Sequence, residues 1–518
     1  MRKHQTDKKI FIATFVLVLI GTIMVSIIGP SYTNIQNVSY GKNDDPNTTI
    51  KSQILFVVLA FVAMMVLLKM PLRGSVERKE RKKNSKFWSL FAGVFEHLPG
   101  LMMLFSLIVC TVMAVIPGAP FVRCALGGCR WLNLGVIQLQ VAELVKFSAI
   151  FYFAKVCTEC RNVGGFEGRK DIQTRTTRGA INANTRMGNY VSSRMGGRVS
   201  LRTGYDTSGY LGGRSMKSVK NKSKNRGLAR VLRPGTVLYA LLVEKKIDFQ
   251  LIKRRVRDFC ERKDGWVFWV KFLVPLVVAE YFIVVKQKDL GSGLPLAAIV
   301  LAMLLVSGVK IRVFAALTMF GVLFVVLSML GSPHRVERLK TFFSGKVNSS
   351  ETVNAGEEKE KGKDAETYHI DNALIAIGSG GLFGVGIGNN VQTAGYLPES
   401  ITDSMFAVIG ETIGFVGILG VLFFYYMLLS RMLKVADCTK DSYYQLVTIG
   451  VFAWLAGHVV INIAAMTGLA PVTGIPLPLL SKGGTSLIMN MAIIGLVLNI
   501  SQYTMRADIL DAERRKLQ

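Results

Sequence analysis

The chain has 518 residues, half of them apolar, with 63 Lys and Arg against 34 Asp and Glu and a net charge of +29. That apolar fraction is ordinary for soluble domains too. Here it falls in nearly charge-free blocks of about 17–25 residues, the length that crosses about 30 Å of hydrocarbon, and this arrangement excludes a soluble globular chain.

A backbone in lipid must satisfy its own hydrogen bonds, so each block predicts a helix. Ten spans are predicted, at roughly 11–29, 53–69, 99–117, 140–157, 266–286, 293–309, 311–330, 404–430, 445–467 and 484–503. The fold class is all-α, a polytopic membrane protein with both termini cytoplasmic. Arg2, Lys3, Lys8 and Lys9 precede the first span as they would a signal peptide. Its apolar stretch is too long for one and no small-residue cleavage site follows, so it reads as a retained anchor. Phe87 to Leu98 reads as an interfacial helix or as part of the third span.

A cytoplasmic N-terminus places Arg73 to Lys86, the loop 158–265 and the tail with Arg514, Arg515 and Lys516 inside, and the mixed or mildly acidic loops 30–51 and 332–402 outside. Basic residues gather on the cytoplasmic side of membrane proteins, and 158–265 alone holds 25 of the 63. The chain thus divides into spans one to four (1–157), a basic cytoplasmic insertion (158–265), spans five to seven (266–331), a large outer loop (332–402), and spans eight to ten with a short tail (403–518).

The front of the insertion is rich in Arg, Gly, Ser, Thr and Asn and too poor in apolar residues to bury a core, so disorder is expected there. Val237 to Lys263 mixes apolar residues with Lys245, Lys246, Lys253, Arg254, Arg255 and Arg257. It reads as a basic amphipathic helix on the inner leaflet, with anionic lipid as its partner and no nucleic acid. In the outer loop the acidic, lysine-mixed stretch Glu351 to Glu366 is followed by Gly378, Gly380, Gly381, Gly384, Gly386 and Gly388. These lack the full nucleotide-binding fingerprint and its βαβ setting; tight turns and close packing in a re-entrant segment are expected instead. Cys124 and Cys129 share an outer loop, where an oxidising compartment would let them pair. Cys157 and Cys160 have no second pair with which to hold zinc.

Charges inside spans are costly, so each marks a candidate site. Glu143 and Lys146, three apart in the fourth span, share a helical face and can neutralise each other, as a packing pair or as part of a site. Glu411 lies in the eighth span. Glu280, near the outer end of the fifth, is expected to be partly solvated. Asp289 follows Gln287 and Lys288 in a short outer turn. It has three open readings: a general base, a ligand for a divalent cation beside a pyrophosphate, or a helix N-cap.

Six ordered motifs resemble those of the SEDS family, the shape, elongation, division and sporulation proteins. Gly128-Cys-Arg130-Trp131 and Gln140-Val-Ala-Glu143-Leu-Val-Lys146 are similar to the family's R-W and Q-P-S-E-x-x-K motifs, and Gln287-Lys-Asp289-Leu-Gly291 to Q-P-D-L-G. Ala376 to Gly384, with Leu397-Pro-Glu399 and Thr402-Asp403, resembles the long outer loop, and Phe406 to Glu411 the start of the eighth span. Asn462 and Leu477-Pro-Leu-Leu-Ser481 to Ser486 resemble the closing loop and last span. Gly388 to Gln392 and Tyr396 to Glu399 look more like the division and sporulation branch. Lys288 stands where the family has Pro, Ile401 where it has His, His458 where it has Gln, and Lys482 where it has an aromatic. The basic insertion is longer than is usual in the family.

The resemblance implies a peptidoglycan glycosyltransferase in the bacterial cytoplasmic (inner) membrane. It would polymerise lipid II at the outer face, with a class B penicillin-binding protein and other division proteins as partners. It makes Asp289 the catalytic residue, with Mg or Mn as the one cofactor to consider and Asp289 its ligand. Lys146 and Arg338 would offset the pyrophosphate charge, Glu143 would orient Lys146, and Glu399, Asp403, Glu411, Asn462 and Ser481 would bind or support the substrate. Two rival readings are a lipid II flippase, which buried charges in a ten-span bundle would also suit, and a non-catalytic scaffold of the division machinery.

Overall fold

Long apolar helices need little beyond their length and their caps. The first, α1 (Lys8–Tyr40), starts where the Asp7 carboxylate accepts the backbone N–H of Lys9 and stops at Gly41, whose φ of 61° admits the left-handed cap. The computed structural model describes residues 6–41, 43, 45–70, 72, 86–116, 122–125, 128–133, 138–162, 263–309, 311–330 and 365–504. Next come α2 (Thr48–Lys69) and α3 (Lys86–Val115), then strands β1 (Val122–Ala125), β2 (Gly128–Asn133) and β3 (Gln138–Gln140) and α4 (Val141–Asn162). After them are α5 (Lys263–Glu280), α6 (Leu290–Ser307), α7 (Ile311–Leu330), α8 (Ala365–Ser379), α9 (Met405–Cys438), α10 (Ser442–Met466) and α11 (Thr485–Ser501).

Among the described residues, eight helices are long and apolar enough to cross a membrane. Each of the ten predicted spans contains a helix: α4 carries more charge than the eight, and α11 is shorter at 17 residues. Phe87 to Leu98 belongs to the third span's helix, which is continuous from Lys86 to Val115. The basic insertion lies outside the described residues except at its ends, where α4 runs to Asn162 and α5 begins at Lys263. Its amphipathic-helix reading lies outside them as well.

Polar contacts mark the two ends of the bundle. At one end Asp7 pairs with Arg431 of α9 at 2.6 Å and its N–H reaches Ser501 of α11. Asn499 there donates to the carbonyls of Leu67, in the last turn of α2, and Met70, just past it. At the other end sits a feature outside the helical expectation, an antiparallel sheet in the order β1-β2-β3. Cys124 and Cys129 are disulfide-bonded across its first hairpin. The sheet leads straight into α4, because β3 ends at Gln140 and the helix begins at Val141.

Two backbone devices shape the same end. Between α5 and α6 the chain runs through a π-helical turn, Tyr281–Lys286. In α9 the helix breaks at Gly414, with φ 76° and ψ −164°. The freed groups there pair with the glycine-rich run: Val385 and Gly386 donate to the carbonyls of Glu411 and Thr412, and Phe415 and Val416 donate to those of Gly381 and Leu382. A broken helix is tolerated at membrane depth where other backbone satisfies it. Close approach demands glycine at this contact, since a Cβ on Gly384 would lie 2.2 Å from the Thr412 carbonyl oxygen. The expected turns and tight packing of the glycine run are therefore present.

Glu280 is partly solvated, as expected, although its Oε1 is buried with no hydrogen-bond partner. Gly293 lets α6 close against the carboxylate; a Cβ there would lie 2.9 Å from the Glu280 Oε2.

Candidate active site

Asp289 caps α6, and its carboxylate is buried at 7 % exposure. Three donors hold it. The Ser292 N–H reaches Oδ1 at 3.0 Å, the Ser292 hydroxyl reaches Oδ2 at 2.8 Å, and the Gln140 amide reaches Oδ2 at 3.1 Å. The N-cap reading is thus met, and the third donor, from another element, goes beyond capping. The two oxygens offer about four lone-pair sites, so one remains for a proton, a substrate hydroxyl or a cation.

The turn before Asp289 is clamped by the sheet. Arg130 donates from Nε to the Gln287 carbonyl and from Nη2 to the Lys288 carbonyl, both at 2.9 Å. Gly128 lies so close that a Cβ would sit 2.2 Å from the Gln287 oxygen. Lys288 has a φ of 55°, a left-handed conformation that costs a non-glycine residue about 1–3 kcal/mol unless its surroundings impose it. A proline, locked near −65°, does not fit this backbone, which accounts for the departure at 288. The Lys288 side chain is exposed beside the capped carboxylate.

One turn into α4 from Gln140 lies Glu143, and beyond it Lys146. Their predicted pairing is present: Nζ donates to Glu143 Oε1 at 2.7 Å, with both side chains buried. The ammonium also meets His458 Nε2 at 3.0 Å and lies over the Trp454 ring, 4.8 Å from its centroid. Glu143 Oε2 has no partner. Stripping one member from such a buried pair costs about 3–5 kcal/mol, so the partners are mutually dependent. Lys146 has no exposed surface, so it acts through its field and its packing.

A second carboxylate pair sits at the head of α9. Glu399 is exposed, with φ 47°. It accepts the Thr402 hydroxyl at 2.8 Å and lies 3.5 Å from the Tyr32 hydroxyl. Asp403 is buried, and the hydroxyls of Ser404, at 3.4 Å, and Thr402 donate to it. Burial, then the charge of Glu399, pushes Asp403 up to about 7. Burial likewise pulls His369 and Lys482 below their ordinary values, with Glu399 opposing in both. His369 bonds Ser404 at 2.6 Å, and the Lys482 ammonium reaches the Thr49 hydroxyl at 3.3 Å.

The closing loop joins the two carboxylate sites. A Cβ on Gly291, two residues past Asp289, would lie 2.6 Å from the Thr473 carbonyl and 3.5 Å from Asp289 Oδ1. One on Gly474 would lie 4.0 Å from Asp403 Oδ2. Residues 473–475 therefore border both Asp289 and Asp403. Asn462 fixes this loop, donating to the carbonyls of Asp403 at 2.6 Å and Ile475 at 2.7 Å. Ser481 accepts the Leu477 N–H at 2.9 Å and closes the next turn.

Of the other candidates, Glu411 accepts the backbone N–H groups of Gln392 and Thr393, both at 2.9 Å, and so caps the π turn Gln392–Tyr396. Arg338 lies outside the described residues. Among the described residues no three His, Cys, Asp or Glu gather as a metal site. A divalent cation would fit Asp289 only with substrate oxygens and water as its other ligands, as Mg²⁺ often binds. Sequence reasoning placed Gln140, Arg130, His458 and Lys482 in motifs without a role and missed Ser292, Tyr32 and His369. The legible signals were Ser three residues after a capping Asp, and Gln one turn before Glu143.

The sequence profile of the FtsW/RodA/SpoVE cell cycle proteins matches residues 7–178 and 248–506. The chain belongs to this family. It is 34 % identical over 229 residues to stage V sporulation protein E of Bacillus subtilis, covering 44 % of this chain and 59 % of that one. It is 32 % identical over 219 residues to the probable peptidoglycan glycosyltransferase FtsW of Trichlorobacter lovleyi, covering 42 % and 54 %. These alignments span less than two thirds of the relatives' own lengths. A 23 % match to the probable FtsW of Buchnera aphidicola covers 88 % of this chain and 91 % of the relative. Among solved structures, a chain described under "Structural coordination of polymerization and crosslinking by a peptidoglycan synthase complex" superposes with a TM-score of 0.55 at 17 % identity, covering 96 % of this chain and 98 % of that one. That likeness is one of fold; the family match and the long apolar helices make this chain a multi-pass membrane protein.

Proposed function

We propose that this protein is a peptidoglycan glycosyltransferase, polymerising lipid II at the outer face of the bacterial cytoplasmic membrane during division or sporulation. The observation that carries the reading is Asp289: a buried carboxylate held by three donors at the head of α6, bordered by the loop 473–475 that also touches Asp403. The names of the FtsW relatives and the family's motifs support the same chemistry.

In this mechanism the 4-hydroxyl oxygen of one lipid-linked disaccharide attacks the anomeric carbon of another. The bond from that carbon to the pyrophosphate oxygen breaks, with inversion, and undecaprenyl pyrophosphate leaves. Asp289 orients the attacking hydroxyl and receives its proton. Gln140 and Ser292 keep its oxygens aimed, and Arg130 keeps the turn in place. The exposed Lys288 and, from the outer loop, Arg338 meet the leaving pyrophosphate. Buried Lys146, oriented by Glu143, contributes its positive field. In the alternative, where Asp289 holds a Mg²⁺ or Mn²⁺ ion instead of that hydroxyl, the ion would supply charge neutralisation at the pyrophosphate. A class B penicillin-binding protein is the partner that would cross-link the strands, with both termini and the basic insertion on the cytoplasmic side.

Purified protein given labelled lipid II, with and without a class B penicillin-binding protein, should yield polymer on a gel. Transport of lipid II across vesicles without polymer would favour the flippase reading. Neither transport nor polymer with any partner would favour the scaffold.

A further inference from the structure

The Lys146 ammonium has three partners: Glu143 supplies charge, Trp454 a ring face and His458 a ring nitrogen. The hydrogen positions on His458 follow from its neighbours. Its Nδ1 lies 2.7 Å from the Trp454 carbonyl oxygen, which only accepts, so Nδ1 carries the hydrogen. Nε2 is then a lone pair, and the Lys146 ammonium at 3.0 Å donates to it. Trp454 and His458 are one turn apart on α10, with rings stacked at 6.0 Å, so a single helical face forms the receptor for the α4 lysine.

This contact ties α4 to α10 inside the bundle. Each of those helices also packs against α6, which Asp289 caps. At the head of α4 the Gln140 amide bonds both Asp289 Oδ2 and the Ser292 hydroxyl. A shift of α4 relative to α10 therefore moves Gln140 against the carboxylate it aims.

We propose that His458 is a positioning residue: its Nε2 lone pair docks Lys146, and through α4 it sets the Gln140–Asp289 contact. The inference rests on the glycosyltransferase reading for its activity arm and on the geometry alone for its stability arm. The function required is that of an acceptor at one point, which a glutamine side-chain oxygen also supplies and a leucine does not.

The stability arm is a double-mutant cycle read by thermal midpoint in detergent on full-length protein: His458→Leu, Lys146→Met and the double variant. His458→Leu lowers the midpoint in the Lys146 background and lowers it much less beside Lys146→Met, because the donor left unpaired is then gone. Additive effects would overturn the pairing. In the activity arm, polymer formation from lipid II is measured well below each midpoint. His458→Leu loses about 10-fold to 10²-fold in kcat, as expected for a misplaced catalytic group, with KM little changed. His458→Gln recovers most of that loss. A leucine variant as active as wild type, or a glutamine variant as impaired as leucine, would overturn the positioning role. If wild type itself makes no polymer, the glycosyltransferase reading falls, while the thermal cycle still decides the Lys146–His458 contact.

Discussion

Asp289 and Asp403 border the same loop and are held in opposite ways. Asp289 sits at a helix start and accepts three hydrogen bonds, two from its own first turn and one from the head of α4. Asp403 sits in a turn built of loop backbone, with hydroxyl donors only from the adjacent Ser404, at 3.4 Å, and Thr402 and with an acidic neighbour, and burial raises it to about 7. The first is preorganised by packed helices. The second is a titrating group whose surroundings come from the outer loop and the closing loop. On the proposed function, the fixed carboxylate would do the chemistry and the raised one would set the response of the site to pH.

The largest effect is expected where the loop half of the site meets the broken helix. Gly384 has φ 82° and no room before the Thr412 backbone. Gly384→Val should abolish recovery of monodisperse protein in detergent. Gly386→Ala is the matched control: it has the same left-handed backbone but open space to 3.9 Å, so it should cost only about 1–3 kcal/mol of strain. Equal behaviour of the two would show that backbone pairing at Gly414 does not hold the loop.

The helix half is tested by Gln140→Leu. This change removes one donor from Asp289 and leaves the Ser292 cap, so the protein should fold and lose about 10-fold to 10²-fold in kcat. Wild-type turnover would mean that Asp289 needs no aim from α4.

The pH dependence of stability tests Asp403. Its carboxyl ionises near 3.8 when unfolded and near 7 in the fold, so between those values the folded state holds the extra proton. Stability should therefore fall as pH rises from about 4 to about 7 and level off above. Asp403→Asn should flatten that part of the midpoint-against-pH curve. An unchanged slope would remove Asp403 as its source.

Much of this was legible in the sequence, and the reasons are physical. Hydrocarbon thickness imposes a block length, so each of the ten predicted spans contains a helix, eight of them long and apolar enough to cross a membrane. Glu143 and Lys146 pair as their spacing requires, and Asp289 caps as Asp before a helix should. The sheet at 122–140 was not legible, because its strands are three to six residues long and no periodicity shows in so few. Nor was the proximity of Asp289 to Asp403, which depends on 473–475 folding back between them. The burial of one Glu280 oxygen was not legible either, because the neighbour that closes on that side chain is a glycine thirteen positions away on another helix.

Asp289→Asn tests the role proposed for Asp289 most directly. Asparagine caps helices about as well as aspartate, so insertion, thermal midpoint and partner binding should stay near wild type. The substitution removes the charge that a proton acceptor or cation ligand needs, so polymer from lipid II should fall about 10²-fold to 10⁴-fold both below and above pH 7. Polymer at near wild-type rate from folded Asp289→Asn would contradict the account and move the chemistry to Asp403 and Glu399.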